Sequence, residues 1–298
     1  MSTITASTGP SAGAEPSAGT GAGAPEGSRG IRIQPIVFTR RVALWRDLLE
    51  TVGLRAESGD DVFAVYAGDQ GSVAIHALHA GADLPEGTVK LAWTVPDLEA
   101  FRRDAEAAGC PSRVTAQSFG DELHVEVPGV GWIGVTEEAE PPAPDAGGGA
   151  GVSGGEETPR PSLRVLARVD ALDIEAVSAC FEALGWSPRF RAVDGHYASL
   201  ASHGLLAVSR QESALPTVGG DATALLSLET DTPRTEADRL GDLGVDVALT
   251  EQSWGWAVSV PTPSDWPLRL VQPPLDDPAY EYADPAEQAA ADQVAVDG

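Results

Sequence analysis

The sequence has little of several residue types that define large classes of protein. Only two of its 298 residues are cysteines, Cys110 and Cys180, and only one is methionine. Two cysteines cannot build a disulfide framework, so we expect two reduced, partly buried thiols. The chain also has no run of the ~20 apolar residues that a transmembrane helix needs, and its N-terminus lacks the basic and apolar regions of a secretory signal. We therefore expect a cytoplasmic protein with no membrane partner.

Positive charge is also scarce. The chain has 19 Lys and Arg against 45 Asp and Glu, which gives a formal net charge of −26. The basic residues are scattered, and their longest runs are the pairs Arg40-Arg41 and Arg102-Arg103. Such a surface would repel a phosphate backbone, so the composition argues against nucleic acid as a partner. The acidic surface most simply serves solubility.

Three segments are too poor in apolar residues to offset the entropy of ordering them. Residues 1–30 consist almost entirely of Ser, Thr, Gly, Ala and Pro, residues 139–161 contain the run GGGAGVSGG, and residues 275–298 are acidic. We predict a disordered arm, a flexible linker and an acidic disordered tail. Two ordered domains remain, at 31–138 and 162–274.

Four apolar stretches with helical spacing each end at a glycine. The first contains Val42, Trp45, Leu49 and Val52 before Gly53. The four stretches run over 42–53, 98–109, 174–185 and 233–244. Each follows a short strand-like run and precedes two or three more, which predicts one βαβββ unit written four times and an α+β fold. The longest interval between these glycines contains the linker, so the units form two pairs.

Tandem βαβββ units resemble the vicinal oxygen chelate superfamily, which includes glyoxalase I, extradiol dioxygenases, methylmalonyl-CoA epimerase and the bleomycin- and fosfomycin-resistance proteins. The resemblance rests on the strand, helix and glycine pattern, on Trp254-Gly255, and on the turns 127–131 and 261–265, where the family usually has a DPDG-like hairpin. It implies that each pair of units curls into a cup, with helices outside and the ligand inside. It also implies a monomer with an internal pseudo-twofold axis, because members with one cup commonly dimerise.

Strand alternation sorts the residues of the first cup, since neighbouring side chains point to opposite faces. In the strand 90–95 we expect Leu91, Trp93 and Val95 to face the helix, which makes Trp93 a core residue. Lys90, Ala92 and Thr94 then face the cup. By the same alternation the cup lining also includes Gln34, Ile36, Phe38, Trp132, Gly134 and Thr136.

The metal-dependent relatives place one ligand, usually His, Glu or Gln, on the first and the last strand of each unit. The matching positions are Gln34, His76, Lys90 and Gly134 in the first pair and Arg164, Ala207, Leu225 and Arg269 in the second. An ammonium or guanidinium group repels a cation, and glycine offers no side chain. We therefore predict no metal and no other cofactor. A divalent metal held by Gln34 and His76 is the runner-up.

Polar and aromatic residues predicted inside the cups are the candidate ligand-binding residues. Arginines in the second cup could meet an anionic group of a ligand, and an indole in the first could stack on a planar molecule. The candidates are Gln34, Phe38, His76, Lys90, Glu126, Trp132, Arg164, Arg168, Ser227, Glu229 and Arg269. In the alternative interpretation, Arg164 and Arg269 pair with Glu229 or another acid and fill a cup that binds nothing. His124 either joins the lining or is merely exposed at a strand edge.

The sequence contains no nucleophile elbow, phosphate loop, HExxH or dinucleotide fingerprint, so no catalytic residue is assigned. A metal-free general base made of His76 beside Glu126 stays open. We predict a metal-independent protein that binds a small organic molecule, as the resistance-type members of the family do by sequestration. One alternative is a metal-dependent glyoxalase-like lyase, isomerase or dioxygenase. The other is a protein-interaction module whose cups are filled by side chains.

Overall fold

The computed structural model describes residues 30–117, 120–138, 161–210, 220–274 and 277–283. The predicted arm, nearly all of the predicted linker and most of the predicted tail lie outside these residues. No helix in the described ranges is long and apolar enough to cross a membrane.

The first half contains two βαβββ units. The first unit consists of β1 (Arg32–Ile33), β2 (Ile36–Thr39), α1 (Val42–Val52), β3 (Arg55–Gly59), β4 (Phe63–Ala67) and β5 (Ser72–Ala77). The second consists of β6 (Thr88–Lys90), β7 (Ala92–Val95), α2 (Leu98–Ala107), β8 (Ser112–Gln117), β9 (Gly120–Val127) and β10 (Gly131–Glu137). The pairs β1–β2 and β6–β7 each act as one bent first strand.

The second half repeats this order. Its first unit consists of β11 (Arg164–Ala171), α3 (Ile174–Ala183), β12 (Ser187–Ala192), β13 (Tyr197–Ser202) and β14 (Gly204–Arg210). Its second unit consists of β15 (Leu225–Glu229), α4 (Pro233–Asp242), β16 (Ala248–Gln252), β17 (Gly255–Val260) and β18 (Leu268–Val271). A further strand, β19 (Tyr280–Tyr282), follows.

All four predicted helices are confirmed, and local capping explains their ends. Asp97 and Asp173 are N-caps whose carboxylates accept hydrogen bonds from the amides of Ala100 and Ala176. The predicted terminal glycine follows each helix with a positive φ; at Gly53 the value is 119°. Glycine adopts this conformation at little cost, so each helix ends where the next strand must begin.

The two halves have the same sheet order. In the first half, the five-stranded sheets β3-β4-β5-β2-β6 and β1-β7-β10-β9-β8 meet where the two bent strands run side by side. The second half forms one sheet in the order β16-β17-β18-β15-β11-β14-β13-β12-β19. The strands of the two halves correspond one to one along the sheets. In the first half the order is β3-β4-β5-β2-β6, continued by β7-β10-β9-β8, and in the second it is β12-β13-β14-β11-β15-β18-β17-β16. The halves are therefore structural repeats.

One hydrophobic core runs through both halves on the helix side of the sheets. Trp93 lies in it with 1% of its surface exposed, which confirms the predicted core role. Its ring contacts Phe101 of its own half and Phe181 and Trp186 of the other, with centroid separations of 6.1, 5.9 and 5.5 Å. The division into two domains stays a prediction, because the same core cluster contains buried residues of both halves.

The seam between the halves is also joined by backbone hydrogen bonds. The amide of Ile33 donates to the carbonyl of His203 at 3.0 Å, and the amide of Val165 donates to the carbonyl of Gln70 at 2.8 Å. Gly71 and Gly204, which open the last strands of their units, approach so closely here that a Cβ on Gly71 would lie 3.4 Å from the Cα of Gly204. Only glycine permits this approach.

One sequence-based expectation requires correction. Residues 277–283 of the predicted disordered tail are ordered, and β19 pairs antiparallel with β12. Tyr280 and Tyr282 pack against Phe190 with centroid separations of 5.6 and 5.9 Å. Aromatic burial and ladder hydrogen bonds stabilise this short strand despite the acidic composition around it.

Candidate functional site

Each half presents a concave face opposite the helices, and strand alternation determines which residues line it. In the first half, Val37, Ile75, Trp93 and Ile133 belong to the core cluster, so their strand neighbours project into the first cup. The predicted residues Gln34, Phe38, His76, Lys90, Glu126 and Trp132 all lie on this face, and each is partly exposed. The structure thus brings the six first-half candidates to one concave surface.

His76 sits between two phenylalanines at one side of the first cup. Its ring centroid lies 5.2 Å from that of Phe38 and 6.0 Å from that of Phe63. Its Nδ1 lies 2.9 Å from the carbonyl oxygen of Ala77, which can only accept a hydrogen bond. In the neutral ring Nδ1 therefore carries the proton, and Nε2 keeps a lone pair for another donor.

Lys90 links the first cup to the second half. Its Nζ lies 2.5 Å from Oδ2 of Asp221 and 5.2 Å from the centroid of the Phe38 ring. Both charged side chains keep about a quarter of their surface exposed. The ion pair holds the ammonium group beside the aromatic part of the cup.

Two more predicted residues have partners at the cup surface. The amide of Gln34 donates to Oγ of Ser72 at 3.0 Å. The guanidinium of Arg113 lies 4.4 Å from the ring centroid of Trp132, so one face of this indole is already stacked.

The polar end of the first cup is formed by β9. Oε2 of Glu122 lies 3.3 Å from Nε2 of His124, so His124 is half-buried beside a carboxylate rather than exposed at a strand edge. A Cβ at Gly134 would collide with Oε1 of Glu122, which means that this carboxylate occupies the space of a side chain there. The side chain of Glu126 has no hydrogen bond or ion pair within the described residues, although its amide donates to the carbonyl of Pro111 at 2.8 Å. The pairing of His76 with Glu126 that the sequence left open is therefore not formed among the described residues, and Nδ1 of His76 contacts the carbonyl of Ala77 instead.

The first cup also contains hydrogen-bonding groups that the protein does not satisfy. Among the described residues, Oγ1 of Thr94 and Nδ1 of His124 are buried without a partner. Buried polar atoms in folded proteins nearly always have one. This cup therefore has capacity left for polar groups that are not part of the chain.

In the second cup, a buried ion pair crosses the concave face. Nη1 and Nη2 of Arg189 each lie 3.0 Å from a carboxylate oxygen of Glu229, and Arg164 contacts the same carboxylate at 3.0 Å. Arg189 is on β12 and Glu229 on β15, four strand spacings or roughly 19 Å apart along the sheet. An arginine side chain can make this contact only across the interior of a curled sheet. Glu229 is 2% exposed, so the pair fills that part of the cup.

Arg189 was not among the predicted residues, because no faces were assigned to the strand that contains it. The register between β12 and β13 shifts between Pro188 and Phe190, and the register between β3 and β4 shifts in the same way around Glu57. A bulge interrupts the two-residue alternation, so neighbouring side chains at this point can lie on the same face. Glu57 and Arg189 are thus corresponding residues, and Glu57 contacts Arg32 at 2.7 Å.

The other second-cup candidates do not converge on one point. Ser227 lies on the cup face of β15 and is paired with Arg269 of β18, whose side chain is exposed and has no partner among the described residues. Arg168 lies 3.8 Å from Asp170 of its own strand. Between them, Leu166, Leu205 and Ala207 form a small apolar cluster. The alternative interpretation paired both Arg164 and Arg269 with an acid in this cup. Arg164 contacts Glu229, whereas Arg269 has no such contact among the described residues.

A partly buried tyrosine borders the ion pair of the second cup. Tyr197 stacks on Phe190 with a centroid separation of 5.9 Å and contacts Tyr280 of β19. Burial, with a smaller contribution from Glu229, holds the pKa of Tyr197 well above its usual range. This phenol therefore stays neutral and extends the filled region toward the edge of the sheet.

Several solved structures share this fold over most of their length. No protein-family model matches the chain, and neither does any curated protein sequence. The Mn(II)-bound glyoxalase from Novosphingobium aromaticivorans is similar with a TM-score of 0.52 and 15% identity, over 83% of this chain and 82% of that one. The 2,3-dioxygenase LapB from Pseudomonas sp. KL28 has a TM-score of 0.55 and 16% identity, over 86% and 96%. A catechol 2,3-dioxygenase has a TM-score of 0.54 and 14% identity, over 87% of this chain and 93% of that one.

The chain has the vicinal oxygen chelate fold. At these identities the likeness establishes the architecture and the position of the concave faces.

The residues at the metal positions of the vicinal oxygen chelate fold do not fit a metal. In the first cup Lys90 is paired with Asp221, and a carboxylate fills the space over Gly134. In the second cup the positions hold two arginines and two apolar residues, and Ala207 lies in the apolar cluster. Within the described residues, no group of three or more His, Cys, Asp or Glu side chains could hold a metal ion. A divalent cation would meet positive charge or too few donors at either set.

Proposed function

We propose that the protein binds a small organic molecule in the first cup without a metal ion. The observation that carries the proposal is the difference between the two concave faces. The second is crossed by the buried pair Arg189–Glu229, whereas the first is lined by partly exposed polar and aromatic side chains. Among the described residues, the first cup has two buried polar atoms without a partner, on Thr94 and His124, and the second has one, Nε of Arg168. Concave surfaces that combine apolar walls with a few polar groups are the usual form of a ligand site.

The lining defines the chemistry of the proposed ligand. Phe38 and Phe63 offer aromatic surface, Nε2 of His76 accepts a hydrogen bond, and Lys90 donates one. These groups match a planar or aromatic molecule that has an O–H or N–H donor at one position and a carbonyl or anionic oxygen at another. We infer that the protein acts by holding such a molecule rather than by transforming it.

Lys90 provides a direct test, because it is the single lysine of the sequence. Reductive methylation with ¹³C-formaldehyde labels Lys90 and the N-terminal amine alone, so one NMR signal reports on the first cup. A panel of small aromatic acids, phenols and antibiotics is screened by thermal shift, since a ligand that binds only the folded state raises its stability. We expect a stabilising compound to move the Lys90 signal.

Two variants complete this test. His76→Ala should abolish the shift of the Lys90 signal, whereas Arg269→Ala on the second cup face should leave it unchanged. A stabilising compound that moves no Lys90 signal and responds only to the second-cup variant would contradict the assignment to the first cup. Failure of the whole panel, with an unchanged Lys90 signal in cell extract, would favour the interaction-module alternative.

A second candidate function is a metal-dependent lyase, isomerase or dioxygenase. It is favoured by the similar structures, which include a Mn(II)-bound glyoxalase and ring-cleaving dioxygenases. Gln34 and His76 are the residues available to it in the first cup. Metal analysis of protein purified without chelators separates the two proposals: stoichiometric Mn, Fe, Ni or Zn that is lost in Gln34→Ala and His76→Ala would establish the enzyme.

We also propose that the protein works as a monomer in the cytoplasm. The backbone bonds and shared core at the seam satisfy within one chain the pairing that single-cup members of the family achieve by dimerising. Sedimentation should give a mass near 30.8 kDa, and a mass near twice this value would contradict the proposal.

A further inference from the structure

The two cysteines of the chain meet across the seam between the halves. Cys110 follows α2 of the first half, and Cys180 lies within α3 of the second. Their Sγ atoms are 3.2 Å apart, although the residues are 70 positions apart in the sequence. Both are free thiols. Contact between the only two sulfhydryls of a chain, made across a structural boundary, is specific enough to support a chemical inference.

We propose that Cys110 and Cys180 form an oxidative modification site, at which a reversible disulfide covalently joins the two halves. The oxidant is a small-molecule disulfide of the glutathione type. A disulfide bond is ~2.05 Å long, so the sulfur atoms need to approach by only about 1 Å. Cys110 lies three residues beyond the end of α2, and its amide donates one capping hydrogen bond to the carbonyl of Ala105. A backbone adjustment at Cys110 therefore affects this cap and not the hydrogen bonds inside the helix.

The reaction has two exchange steps. The thiolate of Cys180, which is the more exposed of the two, attacks one sulfur of oxidised glutathione, forms a mixed disulfide and releases one glutathione thiolate. The thiolate of Cys110 then attacks the Cys180 sulfur and releases the second glutathione thiolate. Two protein thiols are oxidised, one glutathione disulfide is reduced to two thiols, and the two protons pass from the cysteines to the released glutathione.

The environment of the thiols determines the rate. Burial, together with the neighbouring Cys110 sulfhydryl, raises the pKa of Cys180 well above its ordinary value. Because the thiolate is the nucleophile, oxidation should be slow at neutral pH. As long as the pH is below that pKa, each rise of one pH unit should accelerate oxidation about tenfold. The site therefore responds to sustained oxidising conditions rather than to brief ones.

The experiment uses the full-length protein with oxidised glutathione at mildly alkaline pH. We expect the mass of the intact chain to fall by two hydrogen atoms, both free thiols to disappear, and a Cys110–Cys180 peptide to appear in a non-reducing digest. Closing a loop of this length should raise the thermal midpoint by about 5–10 °C. Dithiothreitol should reverse every change.

The matched variants are Cys110→Ser and Cys180→Ser. Each should show no rise of the thermal midpoint, and each should end with at most a single glutathione adduct. Persistence of two free thiols, a stable glutathione adduct on the wild-type chain, or a disulfide between two chains would overturn the proposal. The mass and peptide measurements on the wild type stand even if a variant folds poorly, and none of them depends on ligand binding in the first cup.

Discussion

The two halves share one scaffold but differ in how their concave faces are used. In both, an arginine on the first strand contacts a charged residue across or beside the cup: Arg32 contacts Glu57, and Arg164 contacts Glu229. In the second half the bulge residue is Arg189, which is buried together with Glu229. In the first half the corresponding bulge residue is the exposed Glu57, and Thr94 takes the place of Glu229 opposite the arginine. The residues at two corresponding positions, Glu57 or Arg189 and Thr94 or Glu229, thus determine whether a buried ion pair crosses the cup.

Removal of the buried cation Arg189 should have the largest effect on stability. Arg189→Met leaves Glu229 buried with Arg164 alone, and we expect a loss of about 3–5 kcal/mol in the free energy of unfolding. Glu57→Gln at the corresponding bulge should cost below about 1 kcal/mol, because that ion pair is partly exposed. Urea denaturation measures both. Arg189→Met combined with Glu229→Leu should recover most of the loss, and equal costs for the two single variants would contradict the distinction between the cups.

The seam between the halves offers the next largest effect. Gly71 and Gly109 have nearly the same φ, 77° and 76°, but a Cβ at Gly71 would lie 2.7 Å from Ile33, whereas Gly109 has nothing within 4 Å. Gly109→Ala should cost about 1 kcal/mol from backbone strain alone. Gly71→Ala should cost about 1–3 kcal/mol more, because it adds overpacking at the seam. If thermal denaturation gave equal losses, the close approach of the halves at Gly71 would not matter for stability.

The two cups should also differ, by a smaller free energy, in their contribution to ligand affinity. For a compound that moves the Lys90 signal, Phe38→Ala should weaken binding about tenfold, since aromatic contacts contribute roughly 0.5–1.5 kcal/mol beyond area burial. Tyr197→Phe in the second cup should leave the affinity unchanged. Calorimetric titration of both variants provides the measurement. The reverse pattern of affinities would transfer the site to the second cup.

The smallest predicted effect is a pH dependence at the seam. Burial, assisted by Arg32, lowers the pKa of His203 below its ordinary value, so the folded state prefers the neutral ring. Below pH ~6.5 the unfolded chain therefore binds more protons at this residue than the folded one, and this part of the stability is lost as the pH falls. It is fully present above that pH. His203→Gln should flatten the stability profile between about pH 5 and pH 7, and an unchanged slope would exclude the contribution of His203.

The sequence predicted the units more fully than the site. The apolar stripes and terminal glycines located all four helices, and alternation placed Trp93 in the core and the first-cup candidates on the opposite face. It did not identify Arg189, whose contact with Glu229 joins strands that are four places apart in the sheet and therefore depends on the curvature of that sheet. It also failed for β19, whose order depends on tertiary contacts with Phe190. The histidine that lies beside a carboxylate is His124, next to Glu122, and not His76. Local sequence spacing does not determine how far apart two strands lie in the folded sheet.

Residue type and local periodicity were enough to predict the repeated βαβββ architecture. They also show that, of the positions that the resemblance identifies, only Gln34 and His76 carry side chains suited to a metal ion. The tertiary structure decided which cup is crossed by a buried ion pair, where the halves touch and that Cys110 meets Cys180. Those outcomes depend on the curvature of the sheets and on contacts between residues distant along the chain. Curvature and distant contacts arise only when the whole core packs together.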